Sequence, residues 1–465
     1  GPKSLFQLVN RSVSRKGERL LAHQLSEGAR EVGLTTSAIQ ELVDKIDWSQ
    51  QFLAEGMVFI DSDGEQELKE LRAFPIELKA LEKILIYLVP VFSFSAIGLW
   101  AVDLINGIVF SGVLAVVLSL VMRKAKRTNS ICLSVGRYDR LVTAYERQVE
   151  MIDSVEFNRP EMKEWKSAYF SEKGEVSGAL GELAKIQKHM NYRLNLVAAF
   201  VLNFLFAWDL RVLDEWSKWH TKNADKLESL EERLAELEVW ISGAVYLFNH
   251  PNSVFAEFGS SRELHIQELA HPFISREIQV RNDLTLSNDE RFYIVTGPNM
   301  AGKSTYLRSV GWAFISANAG FPVLAKKCII PKLRLYTSMR TADDLTEKSS
   351  FFHAELKRLR FIVDAIERGE QVFVILDEIL KGTNSKDKEE GSAGLLRKLA
   401  KLEASGIIAT HDLSLCKLAD ESPDFRNRFF DSTIANDELI FDYRIRDGIC
   451  QNMNASFLLK RMGLV

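Results

Sequence analysis

The chain has 465 residues, 46% hydrophobic and 26% charged, which excludes a disordered chain and leaves room for two or three domains with a sizeable core. Its formal net charge of -4 excludes a global basic attraction to nucleic acid, so any such contact has to come from a local patch. Cys132, Cys328, Cys416 and Cys450 stand at no metal-ligand spacing and are too few for a disulfide scaffold, so they read as reduced thiols.

Residues 4–60 show helical apolar spacing, as in Leu20, Leu21 and Leu25 and then Ile39, Leu42, Val43 and Ile46. Gly33 with Thr35 and Thr36 predicts a break and a new helix start. The composition then shifts. Ile84–Val102 is a 19-residue stretch without a charge, Asp103–Gly107 reads as a polar turn, and Ile108–Met122 is a second uncharged stretch of 15 residues. At about 1.5 Å per residue the first spans about 28 Å and the second about 22 Å, against a bilayer core of about 30 Å. Lys79 and Lys83 on one flank and Arg123-Lys124-Ala125-Lys126-Arg127 on the other would keep both ends of a spanning hairpin cytoplasmic. The same segment, 84–122, also fits an apolar hairpin buried against other helices or a partner subunit. Leu194–Trp208 is a third apolar run, but it carries Asn195 and Asn203, stops at Asp209 and is short for a span, so a core helix is expected. Leu227, Leu230, Leu234, Leu237 and Ile241 recur at spacings of three and four among dense charges, which predicts a long amphipathic helix.

From about 262, short β-rich runs alternate with helical ones: Phe292–Thr296, Val372–Leu376 and Ile407–Thr410. This predicts a parallel sheet with helices on both faces. Leu439–Ile445 followed by Asp447-Gly448 reads as a late hairpin. The expected organisation is a helical region, 1–261, followed by an α/β domain, 262–465.

Gly297-Pro298-Asn299-Met300-Ala301-Gly302-Lys303-Ser304, followed by Thr305, fits GxxxxGK[ST] between an apolar strand and an amphipathic helix, the context this phosphate-binding loop requires. Backbone N–H groups and the helix N-terminus would hold phosphate oxygens, Lys303 would reach the β- and γ-phosphates of ATP, and Ser304 would ligand Mg²⁺. In Val372–Glu378 the carboxylates emerge at the end of a buried strand, where ligands sit on open α/β sheets. Asp377 would hold Mg²⁺ through water, and Glu378 would orient or deprotonate the attacking water. Ile407–His411 is another strand ending in a polar residue, and His411 on the same sheet could reach the γ-phosphate.

These residues resemble the MutS family of DNA mismatch-repair ATPases. Thr296–Arg308 is similar to that family's P-loop, with Ala301 where a glycine is usual. Asp377–Asp387 looks like its Walker B motif and D-loop, and Asp343-Asp344-Leu345 with Ser350–Glu355 resembles its signature segment, although Lys348 stands where a glycine is usual. Gly320–Ala325, Asp447-Gly448, Ser456–Leu464 and the opening Ser4–Arg11 with Gly17 also match. The resemblance implies an ABC-type P-loop NTPase domain behind an all-α core and lever region. It also implies a homodimer in which Ser350 acts in trans on the partner's ATP, and DNA as the substrate. Asn299 would contact the nucleotide or the attacking water, and His271-Pro272 would lie near the adenine. No segment of these residues resembles the family's mismatch-sensing domain, so mismatch recognition is not carried over. The apolar hairpin points to a second function, an ATPase on the cytoplasmic face of the cell membrane acting on a protein or membrane partner without DNA; if the hairpin is buried, the location is cytoplasmic. A third is a nucleotide switch that hardly turns over.

Overall fold

In the computed structural model, residues 4–59, 77–122, 139–170, 175–259, 263–339, 351–380, 384–435 and 438–451 are described. The chain forms two units that interleave in sequence: one holds 1–8, 23–36 and 246–465, the other 9–22 and 37–245. The sequence reading drew a single division, between 261 and 262.

The second unit is helical. Its long helix, Lys226–Asn249, buries Leu230, Leu234, Leu237 and Ile241, the stripe that the three-four spacing predicts. Trp240 on this helix packs edge-on to Trp165, with ring centroids 5.2 Å apart. Glu238, 1% exposed, turns inward and accepts from Ser14 N and Ser14 Oγ at 3.1 and 2.9 Å. A Cβ on Gly17 would sit 2.1 Å from Glu238 Oε2, so a side chain there would displace the Glu238 carboxylate from its bonds to Ser14.

The apolar hairpin consists of helices Ala80–Ala101 and Gly107–Met122. Between them Asp103 takes a left-handed conformation (φ 55°), and Asn106 Oδ1 accepts from Val109 N at 3.0 Å, capping the second helix as a polar turn residue does. The third apolar run departs from expectation. Leu196–Phe206 is a helix, capped by Asn195, but not a core helix. Leu196 and Val197 are 85% and 73% exposed, whereas Asn203 and Asp209 are buried. The reason is that Asn203 and Asp209 bond to each other and Asp209 pairs with Arg193, so these polar side chains turn in and Leu196 and Val197 are left outside.

The other unit carries twelve strands among its described residues: β1 (Glu257–Gly259), β2 (Leu264–Leu269), β3 (Asn282–Leu286), β4 (Phe292–Thr296), β5 (Lys327–Pro331), β6 (Arg334–Ser338), β7 (Val372–Asp377), β8 (Ser405–Ala409), β9 (Phe425–Phe430), β10 (Thr433–Ala435), β11 (Glu438–Ile440) and β12 (Ile445–Asp447). Six form the main sheet in the order β12-β9-β4-β8-β7-β6, parallel except for the edge strand β12. Leu307, Val310 and Phe314 of helix Lys303–Asn318 pack with one face. Leu359, Ile362 and Val363 of Phe351–Glu367 pack with the other, beside Leu396 and Leu399 of Ser385–Lys401. A four-stranded sheet, β1-β5-β2-β3, adds Leu264, Ile266 and Leu284 to the first layer.

Two local expectations change. The N-terminal break falls at Gly28 (φ 91°) rather than at Gly33–Thr36, and the helix Val32–Leu42 runs through those residues. The cause is the bond from Ala29 N to Asn318 O at 2.8 Å, which turns the chain earlier. The late hairpin also differs. β11 pairs antiparallel with β10, while β12 leaves to pair with β9, because the open edge of the main sheet offers Ile445–Asp447 a ladder.

Candidate nucleotide-binding site

β4 is buried along its whole length, and its apolar side chains set the strand at the centre of the sheet. The loop after it needs special backbone geometry. Gly297 has φ 144°, and a Cβ there would lie 2.5 Å from Phe430 O. Gly302 has φ 107° and caps helix Lys303–Asn318 without a side-chain hydrogen bond, which leaves the first N–H groups of the helix to point at an anion. Met300 takes φ 68° and is 80% exposed. Ala301 is buried, Asn299 exposed, and Pro298 and Thr305 half-buried. Lys303 is 5% exposed, and its ammonium donates to Gly297 O and Pro298 O at 2.8 and 2.9 Å. The charge is thereby held at the mouth of the loop.

The sheet order brings the other groups to this loop. Thr410 N donates to Val295 O at 3.0 Å and Glu378 N to Ala409 O at 2.9 Å, so the ends of β4, β8 and β7 are stitched side by side. Ser304 Oγ donates to Asp377 Oδ2 at 2.9 Å. Asp377 is 8% exposed, which places its charge where a cation would be weakly solvated. His411 Nε2 lies 3.0 Å from Glu378 Oε1 but off the hydrogen-bond axis; it is a close ionic-type contact, charged only when the ring is protonated. Glu378 and Leu380 take left-handed φ of 53° and 59°, each costing about 1–3 kcal/mol for a non-glycine residue. Glu355 holds this turn, accepting from Leu380 N at 2.9 Å.

A cavity of about 330 Å³ opens beside the loop, lined by Gly302, Thr305, His271, Ile274, Ile278 and Tyr443 among others. It falls in the size range of small-molecule sites. His271 packs on Trp312, with centroids 4.5 Å apart. Burial, and secondarily the Arg308 charge, push its pKa down to about 4, so the wall carries a neutral aromatic ring at physiological pH.

The site brings together Gly297–Thr305, Asp377, Glu378 and His411, with His271 on the cavity wall. Ser350, Lys348, Asp343–Leu345 and Ser456–Leu464 lie outside the described residues. Tyr443 and the bond from Glu355 to Leu380 are not readable from sequence. Tyr443 follows no motif, and its place depends on a left-handed φ of 55° and on Asn282 Nδ2 donating to its carbonyl at 3.0 Å.

Ser304 and Asp377 offer two hard oxygens close together. That fits Mg²⁺, which binds few protein oxygens and keeps waters and phosphate oxygens for the rest.

A P-loop at the end of a central parallel strand, facing acidic residues on a neighbouring strand end, defines a P-loop nucleotide-binding α/β fold. The family model described as MutS domain V matches residues 293–459. Over 332 residues, 70% of the chain, the sequence is 28% identical to a DNA mismatch repair protein MutS of Thermotoga sp. (strain RQ2), of which it covers 37%. It is 30% identical over 234 residues, 49% of the chain, to a DNA mismatch repair protein MutS of Petrotoga mobilis, covering 28% of that protein. It is 30% identical over 229 residues, 48% of the chain, to a DNA mismatch repair protein MutS 2 of Halobacterium salinarum, covering 26% of that protein. Residues 293–459 therefore match MutS domain V, in a chain that is similar to MutS proteins over 70% of its length. The chain spans between 26% and 37% of the length of these curated relatives.

Proposed function

We propose that the chain is a Mg²⁺-dependent, ABC-type MutS-like ATPase that hydrolyses ATP at a site shared between two copies and moves its helical unit on DNA. One observation carries this reading: Ser304, Asp377, Glu378 and His411 converge at adjacent strand ends beside the P-loop. The P-loop N–H groups and Lys303 bind the phosphates, exchanging the loop carbonyls that now hold the ammonium for phosphate oxygens. Ser304 and Asp377 hold Mg²⁺, which when bound neutralises charge developing on the phosphates. Glu378 orients the attacking water and accepts its proton, and His411 fixes the Glu378 carboxylate and faces the γ-phosphate. The nucleoside enters the cavity of His271 and Tyr443. Ser350 of a second copy completes the site in trans, stabilising the transferring phosphoryl charge, so the homodimer forms with ATP between its subunits.

Glu378→Gln is the test. It should still bind ATP, accumulate as an ATP-bound dimer by size-exclusion chromatography and release phosphate about 10²–10⁴-fold more slowly. Equal phosphate release from parent and variant, with the parent already trapped, would replace the enzyme by a nucleotide switch. ATP-dependent pulldown on DNA, weakening from low to moderate salt, tests the load.

A second reading is favoured by the apolar hairpin, where Leu81, Tyr87, Val91, Phe92, Leu104 and Ile108 are each more than half exposed and the 22-residue helix contains an 18-residue stretch with mean hydropathy 2.0. In it the hairpin 84–122 anchors the ATPase to the cytoplasmic face of the cell membrane, and the helices act on a protein or membrane partner without DNA. Flotation of the chain with lipid vesicles, lost on deletion of 84–122, tests this.

A further inference from the structure

The helix Leu196–Phe206 breaks at Ala207 (φ 51°) and continues as Trp208–Asn223 at a bend of 81°. A break of this kind frees backbone carbonyls, and those of Phe204 and Phe206 have side-chain donors from the protein. Ser93 Oγ donates to Phe204 O at 2.6 Å, and Arg211 Nε to Phe206 O at 2.8 Å. Arg211 also donates to Ile86 O at 3.2 Å. Ile86 stands four residues before Pro90, which has no N–H to give that carbonyl. Arg193 pairs with Asp209 at 2.7 Å, and Asn203 Nδ2 donates to Asp209 Oδ1 at 3.0 Å, so the polar side chains at the bend are also paired.

The outside has the opposite polarity. Leu196, Val197, Phe200 and Val201 are 85%, 73%, 48% and 44% exposed. Phe206 meets Phe94 and Phe204 meets Phe110, with centroids 5.8 and 6.2 Å apart, so this apolar face continues into that of the hairpin. Helix Ala80–Ala101, 22 residues, is about 33 Å long, the thickness of a bilayer core. Leu196–Phe206, 11 residues, is about 16 Å long, half of it.

Water would satisfy broken-helix carbonyls without help. Lipid would not, so irregular backbone at membrane depth has to be satisfied by the protein. We propose that Leu196–Phe206 is a re-entrant half-helix in the hydrocarbon of a lipid bilayer, docked on the hairpin by Ser93 and Arg211 and closed at its bend by Arg193, Asp209 and Asn203. This rests on the membrane reading of the hairpin and adds to it a segment that length and composition place in a protein core.

The test uses the full chain with Cys132→Ser; Cys328, Cys416 and Cys450 are buried. Bimane is attached to V197C, or to K163C on an exposed part of helix Pro160–Phe170, and the chain is reconstituted in phosphatidylcholine–phosphatidylglycerol vesicles. At 197 fluorescence should be lost to doxyl-labelled lipid and kept in iodide; at 163 it should be lost to iodide and kept in doxyl lipid. If the vesicles carry the chain but 197 behaves like 163, the half-helix is refuted while the hairpin anchor stands. Protection of 197 from both quenchers also refutes it, since a second copy or another protein then covers the face. A chain that does not float with the vesicles overturns the membrane reading itself.

Discussion

Replacing Arg211 by Met leaves Ile86 O and Phe206 O without the guanidinium that now serves both. A buried carbonyl left unpaired costs about 1–3 kcal/mol, so the two together should cost about 2–6 kcal/mol before relaxation. The loss is specific because Pro90 is the reason Ile86 O is free. Pro90→Ala puts an N–H back where the helix places it, so Arg211→Met should cost less in that background. The coupling in the double-mutant cycle should be about 1–3 kcal/mol, against about 0.5 kcal/mol or less for independent sites. Seven of the eight tryptophans lie within 37–245, with only Trp312 in the other unit, so tryptophan fluorescence on heating in mild detergent reports mainly on the helical unit. At about 2–4 °C per kcal/mol for a unit of this size, Arg211→Met should lower its midpoint by about 4 °C at the least and up to about 24 °C before relaxation, and Pro90→Ala should recover part of that shift. An additive cycle, or an unshifted midpoint for Arg211→Met, would refute the account of the broken helix.

Burial pushes the Glu238 carboxyl up to about 7 from an ordinary 4.5. The folded state therefore favours the neutral acid: its contribution is full below about 4.5 and is lost as pH rises through about 7, worth about 3 kcal/mol at about 1.4 kcal/mol per unit. Denaturation of the helical unit between these pH values should show this decline, and Glu238→Gln should flatten it; equal slopes would count against the buried acid. Gly297→Ala sets a Cβ 2.5 Å from Phe430 O and should abolish nucleotide binding by calorimetry while the sheet keeps its circular dichroism. His271, held down to about 4, should titrate by NMR near that value rather than near 6.5. Because its folded pKa lies below the unfolded one, the stability it supports is full above about 6.5, declines as pH falls below that, and is lost by about 4.

Much of the candidate site was legible because its parts are local. The P-loop reads from Gly297 to Ser304, since glycine positions, lysine and hydroxyl all sit within one turn between a strand and a helix. Asp377, Glu378 and His411 read as strand ends because buried apolar runs stop there. The bond between Ser304 and Asp377 and the contact between Glu378 and His411 needed the strand order, in which β8 lies between β4 and β7. Glu355 reaching Leu380 N, and Tyr443 at the cavity, needed the backbone turns that carry them.

The helical unit divides in the same way. Sequence by itself determined the amphipathic stripe of Leu230, Leu234, Leu237 and Ile241, the two uncharged stretches and the polar turn between them, since periodicity and charge act within one segment. Only the tertiary structure decided the sense of Leu196–Phe206. Of the two asparagines that argued for a core helix, Asn195 caps the helix from outside while Asn203 turns inward to Asp209; Ser93 and Arg211 donate to freed carbonyls, and apolar side chains are left outside. Which face a helix buries depends on partners distant in sequence, here Arg193, Ser93 and Ile86, and composition does not carry that information.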